Sequence, residues 1–397
     1  MTATVPPLFG PDMLADPYAT YAQLRGPVSW NEQMGLWLVT RYEDVRWALG
    51  DPRLSSTLAI PAPAHRSADL LGDMYTFVKS SLVFTDPPDH TRLRRLVIAA
   101  FVPSVINQLA GPTSMITNRL LDEHAESLDL AAHLAEPMPI AVLGQLLGVS
   151  LSEAEGAQLK RWCDDFLLPF GRDVSTLTTD ELDRVRAAAA GLHEFVDTVL
   201  SRHSASSGSD DVVSRLLAGE SDDRLSEQEL FANIVLLLIA GHENSTSLIG
   251  NGAAMLLSLP DVRAELAQDP SRWPAAIEEL MRLVSPNQFI RRQAREDVTL
   301  GEQTIRAGDA LLLILAAANR DREAFPDPDR FMFDRPQTVA LGHGIHYCLG
   351  APLARLEGHI GLQTVFERWP AIRQAGELAY RDNFNVRILH SLPVVTS

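Results

Sequence analysis

Apolar positions recur along most of this chain at the three- and four-residue spacing of helices, and strand-like runs are confined to short stretches near the start and in the last third. Asp16, Pro17 and Tyr18 open a short amphipathic segment. Val28 to Thr40 predicts a strand pair with a turn at Met34 and Gly35, and Tyr42 to Gly50 a helix stopped by Gly50, Asp51 and Pro52. Ser55 to Phe84 predicts a long irregular segment, a form that usually serves binding. Ile106 to about Arg202 reads as several amphipathic helices, broken at Gly148 to Ser150 and around Pro169 to Arg172. Ser226 and Glu229 form a capping box, from which a helix runs to about Ser258, roughly 50 Å at the rise of an α-helix. Ile234 to Ala240 is apolar on every side, so the middle of that helix is buried. An abrupt polar stretch, Gly241 to Thr246, follows inside it. Val298 to Leu300, Thr304 to Arg306 and Asp309 to Ala316 predict short strands, with turns at Gly301 and Gly308.

Composition narrows this pattern to one large, mainly α domain with a smaller β region, spanning residues 1–397. The chain is 46% apolar, and its 25 prolines are scattered without forming a linker. Ser204 to Asp211 is the only loose stretch. There is no basic leader with an apolar core, and the longest apolar run, Ala310 to Ala318, is far short of the roughly 20 residues of a membrane span. A cytoplasmic protein is expected. A net charge of −17 argues against non-specific nucleic-acid binding. Arg92, Arg94, Arg95 and Arg355 could still form a local patch that receives an acidic electron donor, or a merely solvated basic face. The two cysteines, Cys163 and Cys348, are too far apart in sequence for a Cys-x-x-Cys motif and suggest neither a disulfide framework nor a zinc site.

Cys348 has a context of its own. It ends Leu341-Gly342-His343-Gly344-Ile345-His346-Tyr347-Cys348-Leu349-Gly350, a glycine-punctuated loop, and a helix with Pro352 in its first turn follows. A helix start favours an anionic sulfur and lowers its pKa. A lone cysteine is often only a small buried hydrophobe, but the Gly-x-His-x-Cys-x-Gly spacing resembles the haem-binding loop of the cytochrome P450 family. There the cysteine thiolate is the proximal iron ligand. The resemblance implies haem b, iron protoporphyrin IX, with iron on Cys348. It also implies a triangular prism fold with the haem between a long distal helix and the cysteine loop. Leu341 departs from the family's usual Phe.

Other stretches extend the resemblance over nearly the whole chain. Asp86 to Arg95 is similar to the segment whose His and Arg hold the haem propionates, a role carried to His90 and Arg94, which share a helix face. Arg292 matches the family's propionate arginine, and His346 may be expected to complete the set; Ala240, Gly342 and Gly350 would lie against the cofactor. Glu279 and Arg282 resemble the structural Glu-x-x-Arg pair, completed by Arg335. Ala240 to Thr246 resembles the oxygen-binding stretch, which implies catalytic roles for Gly241, Glu243, Asn244 and Ser245. Asn244 stands where the family carries the threonine that relays protons. An amide cannot accept and pass on a proton as a hydroxyl does. Ser245, water or a substrate hydroxyl could substitute, or the reaction could tolerate weak proton delivery.

The expected function is therefore a haem-thiolate monooxygenase acting on a medium-sized, partly polar or aromatic small molecule in secondary metabolism. Oxidative coupling without oxygen insertion and a non-catalytic haem sensor or electron carrier are the alternatives. Substrate contacts are expected from Asn233, Leu237, Asn287, Gln288, Phe289, Ile388 and Leu389, and a mobile lid or plain core from Trp162, Phe166, Leu167 and Phe170. A ferredoxin and its NAD(P)H-dependent reductase would supply electrons to a monomer.

Overall fold

The computed structural model describes residues 13–14, 16–24, 26–57, 72–123, 128–169, 177–205, 211–217 and 224–396. The fold is mainly helical with a smaller β region. Backbone contacts divide it into two compact units. The first holds residues 1–59, 117–136 and 243–397, and the second 60–116 and 137–242. No single helix among the described residues is long and apolar enough to cross a membrane.

The first unit carries a five-stranded sheet of β1 (Val28–Asn31), β2 (Leu36–Val39), β3 (Leu54–Ser55), β4 (Ile290–Ala294) and β5 (Ala310–Leu313), ordered β1-β2-β5-β4-β3. Only β2 and β5 pair in parallel. The β1–β2 turn falls at Gly35, whose φ of +61° suits glycine. Side chains alternate between faces, so Val39, Leu311 and Leu313 pack with Tyr42, Val45 and Leu49, while Leu38 and Leu312 pack with Met13 and Tyr21. Burial on both faces explains the continuous apolar run of β5. The strand expected to reach Ala316 stops at Leu313, because Leu315–Ala318 is a helical turn. Alanine favours that conformation. The helix Tyr42–Gly50 has the expected bounds.

In the second unit, part of the segment expected to be irregular is helical, at Gly72–Ser80. Residues 58–71 lie outside the described residues. Met74 and Phe77, three apart, give that helix a buried side, and the Phe77 ring meets Phe166 edge-on at 5.4 Å. Trp162 lies over Gly191, where a Cβ would stand 2.3 Å from the indole. These contacts make Trp162 and Phe166 packing residues of the helices Glu153–Phe166 and Thr179–Ala205. Phe170 lies outside the described residues.

A buried ion pair organises the irregular chain before the cysteine loop. Arg282, fully buried in the helix Trp273–Val284, donates to Glu279 at 2.7 and 2.8 Å and to the carbonyls of Asn319 and Pro328 at 2.7 and 2.8 Å. Glu279 also accepts from Met332 N at 2.9 Å, and Arg335 stands 3.7 Å from it. Asn319 Oδ1 accepts from Val339 N at 2.9 Å, two residues before Leu341. Removing one partner leaves a buried charge uncompensated, so Arg282→Leu is expected to lose about 3–5 kcal/mol in urea unfolding. Arg282→Lys, which lacks the planar fork, should recover little of it.

Candidate active site

The Cys348 loop is held by its own backbone. Gly342 N donates to Val339 O at 2.9 Å, Tyr347 N to Gly344 O at 3.1 Å, and Cys348 N to Leu341 O at 3.0 Å. Gly344, at φ +70°, admits no side chain: a Cβ there would stand 3.0 Å from the Cα of Gly50, at the end of the Tyr42–Gly50 helix. A Cβ on Gly350 would meet the Cys348 sulfur at 3.9 Å. Cys348 is half-buried, and the helix Ala351–Arg368 starts three residues later, with Pro352 in its first turn. Its positive end favours a thiolate.

Within each unit the other expected residues have definite places. His346 Nε2 lies 3.1 Å from Ser56 Oγ. Arg292, on β4, is 5% exposed and donates to Arg291 O at 2.9 Å. His343 is pushed below the usual histidine range by burial and by Arg46. In the second unit, His90 is buried and Arg94 half-buried, one turn apart on the helix Asp89–Ile98. Arg355, expected in a basic patch, is instead ion-paired with Glu278 and bonded to Tyr347 Oη at 3.3 Å. That carboxylate raises its pKa further.

The helix Glu227–Leu257 shows one accessible face in its buried middle. From Leu230 to Ala253 every residue is buried except Leu236, Leu237, Ala240, Gly241, Glu243 and Asn244. Their three- and four-residue spacing puts them on one stripe. Small residues on that stripe suit a flat ligand. Gly241 has another cause: Leu143 packs where its side chain would be, 2.9 Å from an added Cβ.

Several expected substrate contacts have other partners. Asn233 is 1% exposed; its amide donates to Ser80 O and Glu229 O and accepts from Leu82 N, at 2.8–3.0 Å. It pins the chain at 80–82 and offers no free polar handle. Gln288 donates to Ser285 O at 2.6 Å and accepts from Tyr21 Oη at 3.1 Å. Phe289 packs into the core beside Tyr21 and Leu312, and Leu389 packs against Gly250 of the central helix. Asn287 differs, because its Oδ1 is shielded from solvent and has no hydrogen-bond partner.

Sequence reasoning gave no role to Glu357, nine residues after Cys348. It is fully buried on the helix Ala351–Arg368, and the Ser245 hydroxyl faces its carboxyl. Burial pushes its pKa up to about 8, while the facing Ser245 hydroxyl pulls the other way. The unfolded value is 4.5, so between pH 4.5 and about 8 the folded protein keeps a proton that the unfolded chain releases. Stability falls across that window as pH rises. Glu357→Gln removes this term, so its stability relative to the native chain should improve by several kcal/mol over the same window and stay level outside it. A difference in urea midpoints that does not vary with pH would refute the assignment.

The chain matches the family Cytochrome P450 over residues 53–272 and 273–376. It is 38% identical to a vitamin D(3) 25-hydroxylase of Pseudonocardia autotrophica, over 98% of this chain and 95% of that protein. To the 6-deoxyerythronolide B hydroxylase of Saccharopolyspora erythraea it is 35% identical, over 98% of each. The crystal structure of CalO2 superposes with a TM-score of 0.90 at 29% identity, over 100% of this chain and 99% of that one. With a half-buried cysteine at a helix start, an accessible stripe on a buried helix and these relatives along its whole length, the chain belongs to the cytochrome P450 family of haem-thiolate oxidoreductases.

Proposed function

We propose that this P450 is a monooxygenase that inserts oxygen into a medium-sized, partly polar small molecule in natural-product biosynthesis, with residues 1–397 as one catalytic domain. Haem b suits the residues present. Cys348 offers iron an anionic sulfur, and His90, Arg94, Arg292 and His346 offer the donors that two propionates need. When bound, the haem supplies dioxygen activation with two electrons. Ala240, Gly342 and Gly350 would lie against the bound cofactor.

Proton supply is left to the chain, and the observation that carries oxygen insertion is the buried carboxyl of Glu357 facing Ser245. With its pKa near 8, Glu357 holds a proton at neutral pH and can still release it, as a general acid must. Ser245 Oγ accepts at a lone pair and donates its own hydrogen onward, which the amide of the adjacent Asn244 does not do. Glu243 and Asn244 then orient polar groups on the accessible stripe. Oxygen insertion also suits the two relatives named as hydroxylases. Asn287 Oδ1 accepts from a substrate O–H or N–H, and Leu237 and Ile388 give apolar contact. Electrons come from a ferredoxin and its NAD(P)H-dependent reductase. The protein acts as a cytoplasmic monomer without nucleic acid or membrane.

Reduced protein under carbon monoxide should show the absorption band of thiolate-ligated haem, and Cys348→Ser should abolish it. In turnover of a macrolactone, phenol and indole panel under labelled dioxygen, the label is expected in the product. Ser245→Ala should lower product formed per electron pair by about tenfold or more, while Asn244→Thr retains it. An unlabelled product, lighter by two hydrogens or dimeric, would establish oxidative coupling instead.

A further inference from the structure

Past the polar stretch, the central helix carries two more buried polar residues, Ser247 at 0% and Asn251 at 7% exposure. Both donate to one backbone oxygen, Arg387 O: Ser247 Oγ at 2.6 Å and Asn251 Nδ2 at 2.8 Å. Asn251 Nδ2 also donates to Ser247 O, one turn back, at 3.0 Å. The peptide they hold is the tip of the C-terminal hairpin. Arg387 N donates to Pro286 O at 3.1 Å, Gln288 N donates to Asn385 O at 2.7 Å, and Asn287 bridges Val386. Leu389 rests on Gly250, where a Cβ would stand 3.7 Å from its own. Arg387 and Ile388 also line a shallow surface cleft with Gln288, Tyr380 and Phe384.

The tip is thus tied to the helix through a single carbonyl. Asparagine and serine are poorer helix formers than leucine or alanine, and each is costly when buried unpaired. Two donors on one carbonyl do something apolar residues cannot: they fix the height of the peptide above the helix, because hydrogen bonds are directional.

We infer that Ser247 and Asn251 are positioning residues for substrate selection: they set the place of the Arg387 to Leu389 tip and, through Ile388 and the bridged Asn287, the size of the substrate pocket. The inference rests on the proposed reading that Ile388 and Asn287 face the substrate.

The test uses holoenzyme with Asn251→Leu, a change of similar volume, together with Ser247→Ala and the hydroxyl-retaining Ser247→Thr. Hydrogen exchange is followed at amides 386–391, and imidazole and 4-phenylimidazole are titrated spectroscopically. In the first two variants exchange is expected to quicken by about tenfold. The affinity ratio of 4-phenylimidazole to imidazole should shift about fivefold or more while imidazole itself stays within about twofold. Ser247→Thr should match the native protein in both. Faster exchange with an unshifted ratio would make the pair a purely structural staple and overturn the proposal, as would unchanged exchange. Native protein that takes up no haem would overturn the haem reading and this inference with it, a result distinguishable because it precedes any substitution.

Discussion

The placement of the reactive sulfur depends on a buried guanidinium. Arg282 has no solvent to hydrate it, so its planar set of donors must be met by protein. Glu279 meets part of that demand, and the carbonyls of Asn319 and Pro328 meet more. Neither carbonyl belongs to a strand or helix, so a segment that could otherwise wander is tied to a rigid helix. Asn319 passes the constraint on: its backbone oxygen serves Arg282, its Nδ2 donates to Ser285 Oγ at 2.9 Å, and its Oδ1 receives Val339 N. From there the chain enters the Cys348 loop at a fixed point. Arg355, joined to Glu278 on the same helix and to Tyr347 next to the cysteine, braces the far side.

The central helix solves a different problem. Apolar residues would suit its buried middle and leave it chemically inert. Its polar residues are therefore specialised by position. Asn233 anchors the chain at 80–82, Ser245 faces Glu357, and Ser247 with Asn251 grips the hairpin tip. Only the stripe from Leu236 to Asn244 remains accessible. Structural and chemical polar groups thus share one helix but point in different directions.

Much of this was legible in the sequence where the signal is local. The capping box opening the central helix is present, with Ser226 N donating to Glu229 at 2.9 Å and Glu229 N to Ser226 Oγ at 3.2 Å. The Tyr42–Gly50 helix and the Gly35 turn are local in the same sense. The cysteine loop was conspicuous because glycine spacing and a helix start coincide in one stretch. What was not legible depends on contacts distant in sequence. Asn233 and Gln288 looked like substrate handles from the character of their side chains, yet backbone groups far along the chain or across a turn take up their bonding capacity. Gly241 was expected to serve a close approach or a local opening, and the side chain that approaches is Leu143, far along the sequence. Glu357 sits in an amphipathic helix as an ordinary glutamate would. Only the surrounding burial distinguishes it, and burial has no local code.

That burial changes what Asn244 means. Read alone, an amide in place of a hydroxyl suggests chemistry that can do without delivered protons. Beside it stands a serine facing a carboxyl that the interior keeps protonated near neutral pH. Keeping such a carboxyl has a thermodynamic cost, since its proton is held against an unfolded value of 4.5. A glutamine or leucine at that position would avoid the pH-dependent part of that cost. On the proposed reading, that cost is accepted for the sake of the proton the group carries. The hydroxyl that faces it is Ser245.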